Sequence, residues 1–268
     1  MASSARQKMV ESCDGTDHHV KRVRELGMKR RTLEFKKLPL VEVAVRLTLA
    51  DPLPFVYAFQ RDLERALGAR YQMVGEQPVE MPPGSTSISV MLGEKSQIYL
   101  DPRLGISLLV QANMISARWL VGPACANQPY PRFPALQRAV WNLYRIVSKL
   151  LQRQIPIAVA HVGYGNDIVH EQGEGPIKDI FSERWRLPSI AGSERVHSFE
   201  VVWPEGRRDV RVSLGRRIHA EAPLQESYML VTAAGIQLAP TDDPRRCLAG
   251  LHDRLIRLFQ DLVSEEAK

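Results

Sequence analysis

The stretch Leu40-Val41-Glu42-Val43-Ala44-Val45-Arg46-Leu47-Thr48-Leu49 sets Val41, Val43, Val45, Leu47 and Leu49 at every second position, with Glu42, Ala44, Arg46 and Thr48 between them. Side chains on a strand alternate between its two faces, so this period of two specifies a half-buried β-strand. Pro52 and Pro54 stop it. Val56, Phe59, Leu63 and Leu67 then recur at helical spacing until Gly68, a natural helix terminator.

Beyond a Pro/Gly-rich stretch ending at Gly84, four short apolar runs follow: Ile88 to Leu92, Ile98 to Leu100, Ile106 to Val110 and Ile115 to Val121. Gly93-Glu94, Asp101-Pro102-Arg103 and Asn113 separate them with the turn chemistry of an antiparallel meander. After the Pro129-to-Pro134 segment, Leu136, Val140, Leu143, Val147 and Leu150 form one stripe of a long helix. The first half therefore reads β-α-β4-α.

The second half repeats the order more loosely. Pro156 precedes a strand from Ile157 to Val162 as Pro39 precedes the first, and Ile177, Ile180 and Phe181 suggest a short helix. Phe199 to Trp203, Val210 to Leu214 and Tyr228 to Val231 supply strands, with Glu205-Gly206 as the turn between the first two. Leu248, Leu251, Leu255, Leu258, Phe259 and Leu262 mark a closing helix, for which Asp242 and Pro244 make the start. The expectation is an α+β fold of internally duplicated β-α-β4-α units, TATA-binding-protein-like or helix-grip-like, forming a continuous antiparallel sheet backed by long helices. Its parts are a basic, flexible tail at 1–37, a first half at 38–155 and a second at 156–268.

The formal charge of +6 is unevenly spread. Residues 1–37 hold ten Lys or Arg against five acids, whereas residues 38–268 hold 26 against 25. The body is near neutral, which disfavours a broad basic face for nucleic acid. Lys21, Arg22, Arg24, Lys29, Arg30 and Arg31 in the tail could still reach phosphates. No apolar run spans a bilayer, since Gln111, Asn113 and Arg118 break the best one. The first 37 residues lack the apolar core of a signal peptide, and Cys13, Cys125 and Cys247 form no disulfide framework. A cytoplasmic location is expected.

Leu38-Pro39-Leu40-Val41-Glu42-Val43, the Tyr130-Pro131 segment before the Trp141 helix, the Ile157-to-Asn166 strand and the last helix with Leu251, His252 and Phe259 resemble a sporadically distributed bacterial family of similar length, with a Pro-x-Val-Glu-Val strand near the N-terminus. The resemblance runs from about residue 38 to the C-terminus and implies no particular activity. Members of that family usually carry a more basic strand where this chain has His161-Val162-Gly163-Tyr164-Gly165-Asn166.

Motifs that carry common chemistries are missing: no phosphate-binding Gly-rich loop, no nucleophile elbow and no zinc-protease pair. No cofactor is expected. Cys13, Asp14, Asp17, His18 and His19 lack a second ligand pair at zinc spacing, so no metal site is assigned. His161 and His170, with Glu171 and Glu174 nearby, could form an acid–base pair around Tyr164 and Asn166. The bland reading of that segment is a β-bulge or loop rim at Gly163 and Gly165 with the histidines in solvent. Arg207, Arg208, Arg211, Arg216 and Arg217 make the strongest cationic patch on the body. His252 reads as a residue at the edge of its helix's apolar stripe. The absence of a catalytic constellation favours a non-catalytic protein-binding, adaptor or chaperone-like component of a small bacterial operon, with a protein partner encoded beside it. The alternatives are a nucleic-acid binder using tail and saddle, and a small-molecule binder or enzyme at His161 and His170.

Overall fold

A computed structural model of the chain describes residues 40–54, 57–78, 95–121, 128–170, 198–218 and 226–262. The alternating decamer forms β1 (Leu40–Leu49), with Val43, Val45, Leu47 and Leu49 buried. Next comes α1 (Tyr57–Leu67), burying Phe59, Leu63 and Leu67, and a short 3-10 turn over Gly68–Arg70. Strands β2 (Gln72–Pro78), β3 (Lys95–Asp101), β4 (Ile106–Gln111) and β5 (Met114–Leu120) lead to α2 (Phe133–Leu150). The chain continues through β6 (Ile157–His170), β7 (Ser198–Glu205), β8 (Arg208–Ile218) and β9 (Glu226–Gln237) to α3 (Pro244–Leu262).

The nine strands among the described residues join one antiparallel sheet in the order β2-β3-β4-β5-β1-β6-β9-β8-β7. β1 and β6 sit side by side at its centre, with Val45 opposite Val162. Both long helices cover the same face: α2 lies on β1, β4 and β5, α3 on β6 and β9, and α1 packs against α2. Val45, Leu47, Ile106, Ile115, Leu136, Val140, Val162, Leu230 and Leu248 are fully buried between them. Each such side chain stabilises the folded state by about 1.5–3 kcal/mol relative to exposure, so the α+β core spans both halves of the sequence.

Several expected features are corrected. Part of the Pro/Gly-rich stretch before Gly84 is the edge strand β2, whereas the run Ile88 to Leu92 and the helix near Ile177 lie outside the described residues. The strand expected over Ile157 to Val162 continues to His170, because Gly163 to Asn166 stay in regular register with Ala233 to Leu230. Asp243 rather than Asp242 starts α3: its carboxylate accepts from the Arg245 N–H at 2.9 Å. The Asp242 carboxylate instead accepts from the Ala239 N–H and pairs with Arg207, each at 2.7 Å. Gly206, at φ 66°, turns between β7 and β8 as expected. Among the described residues no helix is long and apolar enough to cross a membrane.

Candidate functional site

A register shift in β1 builds the site. β6 pairs Asn166 with Leu40 and Gly165 with Glu42, so Val41 is an extra residue on β1. Without it Leu40 would share a face with Glu42; the bulge turns Leu40 toward the helices instead. The irregularity expected near Gly163 therefore lies across from that segment, on β1.

Tyr164 and Asn166 point to the helix side with Ala160 and Val162, and Thr232 of β9 stands directly opposite Tyr164. Together with Leu40 they form the floor of a cavity of about 280 Å³. Tyr130, Arg132, Phe133 and Pro134 form one wall, and His252, Leu255, Ile256 and Phe259 of α3 close the top. The wall segment is anchored to the sheet by Trp119, whose indole N–H donates to the Gln128 carbonyl at 3.0 Å and whose ring lies 5.2 Å from that of Tyr130. Arg132 precedes α2 with φ 72° and ψ 151°. A side chain in that region costs on the order of 1–3 kcal/mol, which the surrounding contacts must offset.

The polar groups are linked. His252 stacks on Phe133 at 4.1 Å with the rings 4° apart, and its Nδ1 lies 2.5 Å from the Tyr164 hydroxyl. Tyr164 also hydrogen-bonds Tyr130. Burial holds the His252 imidazole below its ordinary pKa against the opposing pull of Asp253, so the ring is neutral at neutral pH. Burial pushes the Tyr130 hydroxyl up to about 12, with the Tyr164 hydrogen bond and Arg132 pulling the other way. Burial, followed by Tyr130 and Asp253, raises Tyr164 well above the ordinary phenol range. Each member of this chain is uncharged at neutral pH.

One group remains unsatisfied. The Oγ1 of Thr232, a residue only 1% exposed, has no hydrogen-bond partner. Among the lining residues there is no Asp or Glu, and Arg132 carries the one formal charge.

Of the residues singled out in the sequence, Tyr164 and Asn166 line this cavity. His161 does not: it points to the opposite face of the sheet, opposite Gly235 and Arg46. It is largely buried there, and desolvation, reinforced by Arg46 and Arg211, lowers its pKa to about 4. His170 lies nine residues further along β6, about 30 Å away at strand rise, so the two do not form one site. Glu171 and Glu174 are outside the described residues, as are the tail cations and the Cys13-to-His19 cluster. The arginine hairpin is partly spoken for: Arg207 pairs with Asp242 at 2.7 Å and Arg211 with Glu200 at 2.9 Å. Arg208 is half-buried in β8, where Arg216 and Arg217 also fall.

His252, Tyr130, Arg132 and Thr232 were not picked out as site residues. The available signal was the position of His252, three and four residues before Leu255 and Ile256 on one helix face. A larger groove of about 760 Å³ beside α1 and α2 carries Arg70, Arg145 and Lys149. It makes a weaker candidate: Arg70 is bound to the buried Asp101 at 2.8 Å, and Trp141 is already stacked with Tyr144 and Arg245. Among the described residues no three His, Cys, Asp or Glu side chains gather as a metal site. The chain matches no protein-family model, and no curated protein matches it.

Proposed function

We propose that the chain is a non-catalytic binding protein that takes a small molecule into the cavity between its sheet and its two long helices. The observation that carries this reading is the cavity itself, about 280 Å³, lined mainly by apolar and aromatic side chains on which the linked Tyr130, Tyr164 and His252 converge. A concave, mostly apolar space with a few placed polar groups is the form that small-molecule sites take. Binding without turnover is favoured because the Nδ1 of His252 is occupied by Tyr164 and burial raises the Tyr164 hydroxyl well above the ordinary phenol range. Saturation-transfer NMR of the full chain with a general panel of fragments tests it. Ile256→Trp, at the exposed rim, should plug the mouth and lose the hits while the fold is kept. Hits unaffected by that substitution, or no hits, would refute the reading.

The sheet order supports an internal duplication as part of the same proposal. Outward from β1 run β5, β4, β3 and β2; outward from β6 run β9, β8 and β7. Each set is a meander returning to a central strand, with a long helix over it, which suits a TATA-binding-protein-like or helix-grip-like saddle. The cavity then lies where the second helix meets the end of the first unit.

A second reading, a protein-binding adaptor component, is favoured by β7. This edge strand keeps unbroken register with β8 and leaves Val201 and Val202 exposed ahead of Pro204, whereas the opposite edge, β2, is blunted by a register shift at Val74. An added strand from a partner would cover β7. Affinity purification with wild type and Val202→Lys tests this: a stoichiometric partner lost in the variant supports it, and a partner retained by both contradicts it. A nucleic-acid role rests on the tail, Lys21 to Arg31.

A further inference from the structure

The class of the occupant follows from the polarity of the wall, on the reading that the cavity binds a ligand. We infer that the site selects a compact organic anion, whose carboxylate meets Arg132 at the mouth and whose apolar body lies against Phe133 and Phe259.

Size sets the first limit. A space of about 280 Å³ holds roughly nine waters at ~30 Å³ each, so the occupant has on the order of ten non-hydrogen atoms. Charge sets the second. With Arg132 the one charged residue lining the cavity and no acid among the described lining residues, a carboxylate completes an ion pair that no lining group offers an ammonium, while Asp253 acts on Tyr164 and His252 from outside the lining. Arg132 is available for this: the residue is exposed and has no ion pair among the described residues, and its charge acts on the Tyr130 hydroxyl beside the cavity. Its strained backbone is a third observation, since a helix start could be made without a non-Gly residue at φ 72°.

Isothermal titration of the full chain with 4-hydroxybenzoate, 4-hydroxybenzamide and 4-hydroxybenzylamine tests the inference. The acid should bind at least tenfold more tightly than the amide and the amine. Arg132→Gln, which shortens an exposed side chain and removes its charge, should erase the preference for acid over amide, and retention of the wild-type circular dichroism spectrum checks that it folds. Equal binding of acid and amide, or a preference that survives Arg132→Gln, overturns the inference while leaving the cavity as a binding site. Failure of all three compounds overturns it too, and the fragment panel then reports separately whether the cavity binds anything.

Discussion

Thr232 is held on the cavity floor at a cost to stability, and that cost can be measured. Valine has the shape of threonine without the hydroxyl, so Thr232→Val should raise the unfolding free energy by about 1–2 kcal/mol in urea titrations. An unchanged or lowered value would mean that the hydroxyl has a partner in solution. His161 gives the second residue-scale prediction. Its folded pKa of about 4 lies below the ordinary 6.5, so the unfolded chain takes up the proton first as the solution is acidified. The stability it contributes is complete above pH 6.5 and drains away as pH falls toward 4, by on the order of 3 kcal/mol. Denaturant midpoints at pH 7 and pH 5 should differ clearly in wild type and much less in His161→Phe; equal slopes would refute the assignment. Neither residue's environment was legible in the sequence. Thr232 sits in a run, Val231 to Ala234, that has no polar alternation to orient it, and the burial of His161 depends on strands 70 or more residues away.

Among the elements, β6 shows why glycine punctuation misleads. Gly163 and Gly165 have ordinary strand backbones, and only Gly165 is closely approached by its neighbours. A Cβ on Gly165 would come within 3.1 Å of the Glu42 Cβ and 3.3 Å of the Met229 sulfur, whereas one on Gly163 meets nothing nearer than 3.8 Å. Gly165→Ala should therefore destabilise the protein by about 1–3 kcal/mol, while Gly163→Ala should be neutral or stabilise it by about 0.5 kcal/mol. Thermal denaturation of the two variants distinguishes them, and the reverse order would contradict the pairing of β1 with β6. The strand β1 was readable because Val43 to Leu49 alternate cleanly over a half-buried surface. β2 was not, because Gln72, Met73 and Val74 are all exposed at an edge and the register shifts at Val74, which removes any period of two. The stripes of α2 and α3 were readable for the same reason as β1: each buries one face only. Tyr164 and Asn166 could be found as polar residues inside a strand, but their partners arrive from α3 and from the segment before α2.

For the molecule as a whole, the central pairing of β1 with β6 joins the two halves into one sheet. Residues 38–155 alone would leave β1 with an unpaired edge whose Val43, Val45 and Leu47 flank a complete meander. Sedimentation equilibrium of that fragment should give dimers or larger species, and a stable folded monomer would argue against the duplication. The claim on which the rest depends is that the cavity bounded by Tyr164, Thr232 and His252 holds a ligand in the folded chain. A ligand bound only by the native state raises the unfolding free energy by about 2.7 kcal/mol at one hundred times its Kd. Urea unfolding of the full chain with and without 4-hydroxybenzoate at that excess should show this gain in wild type and little or none in Ile256→Trp at the same concentration. No gain in wild type, or the same gain in both proteins, would contradict the account.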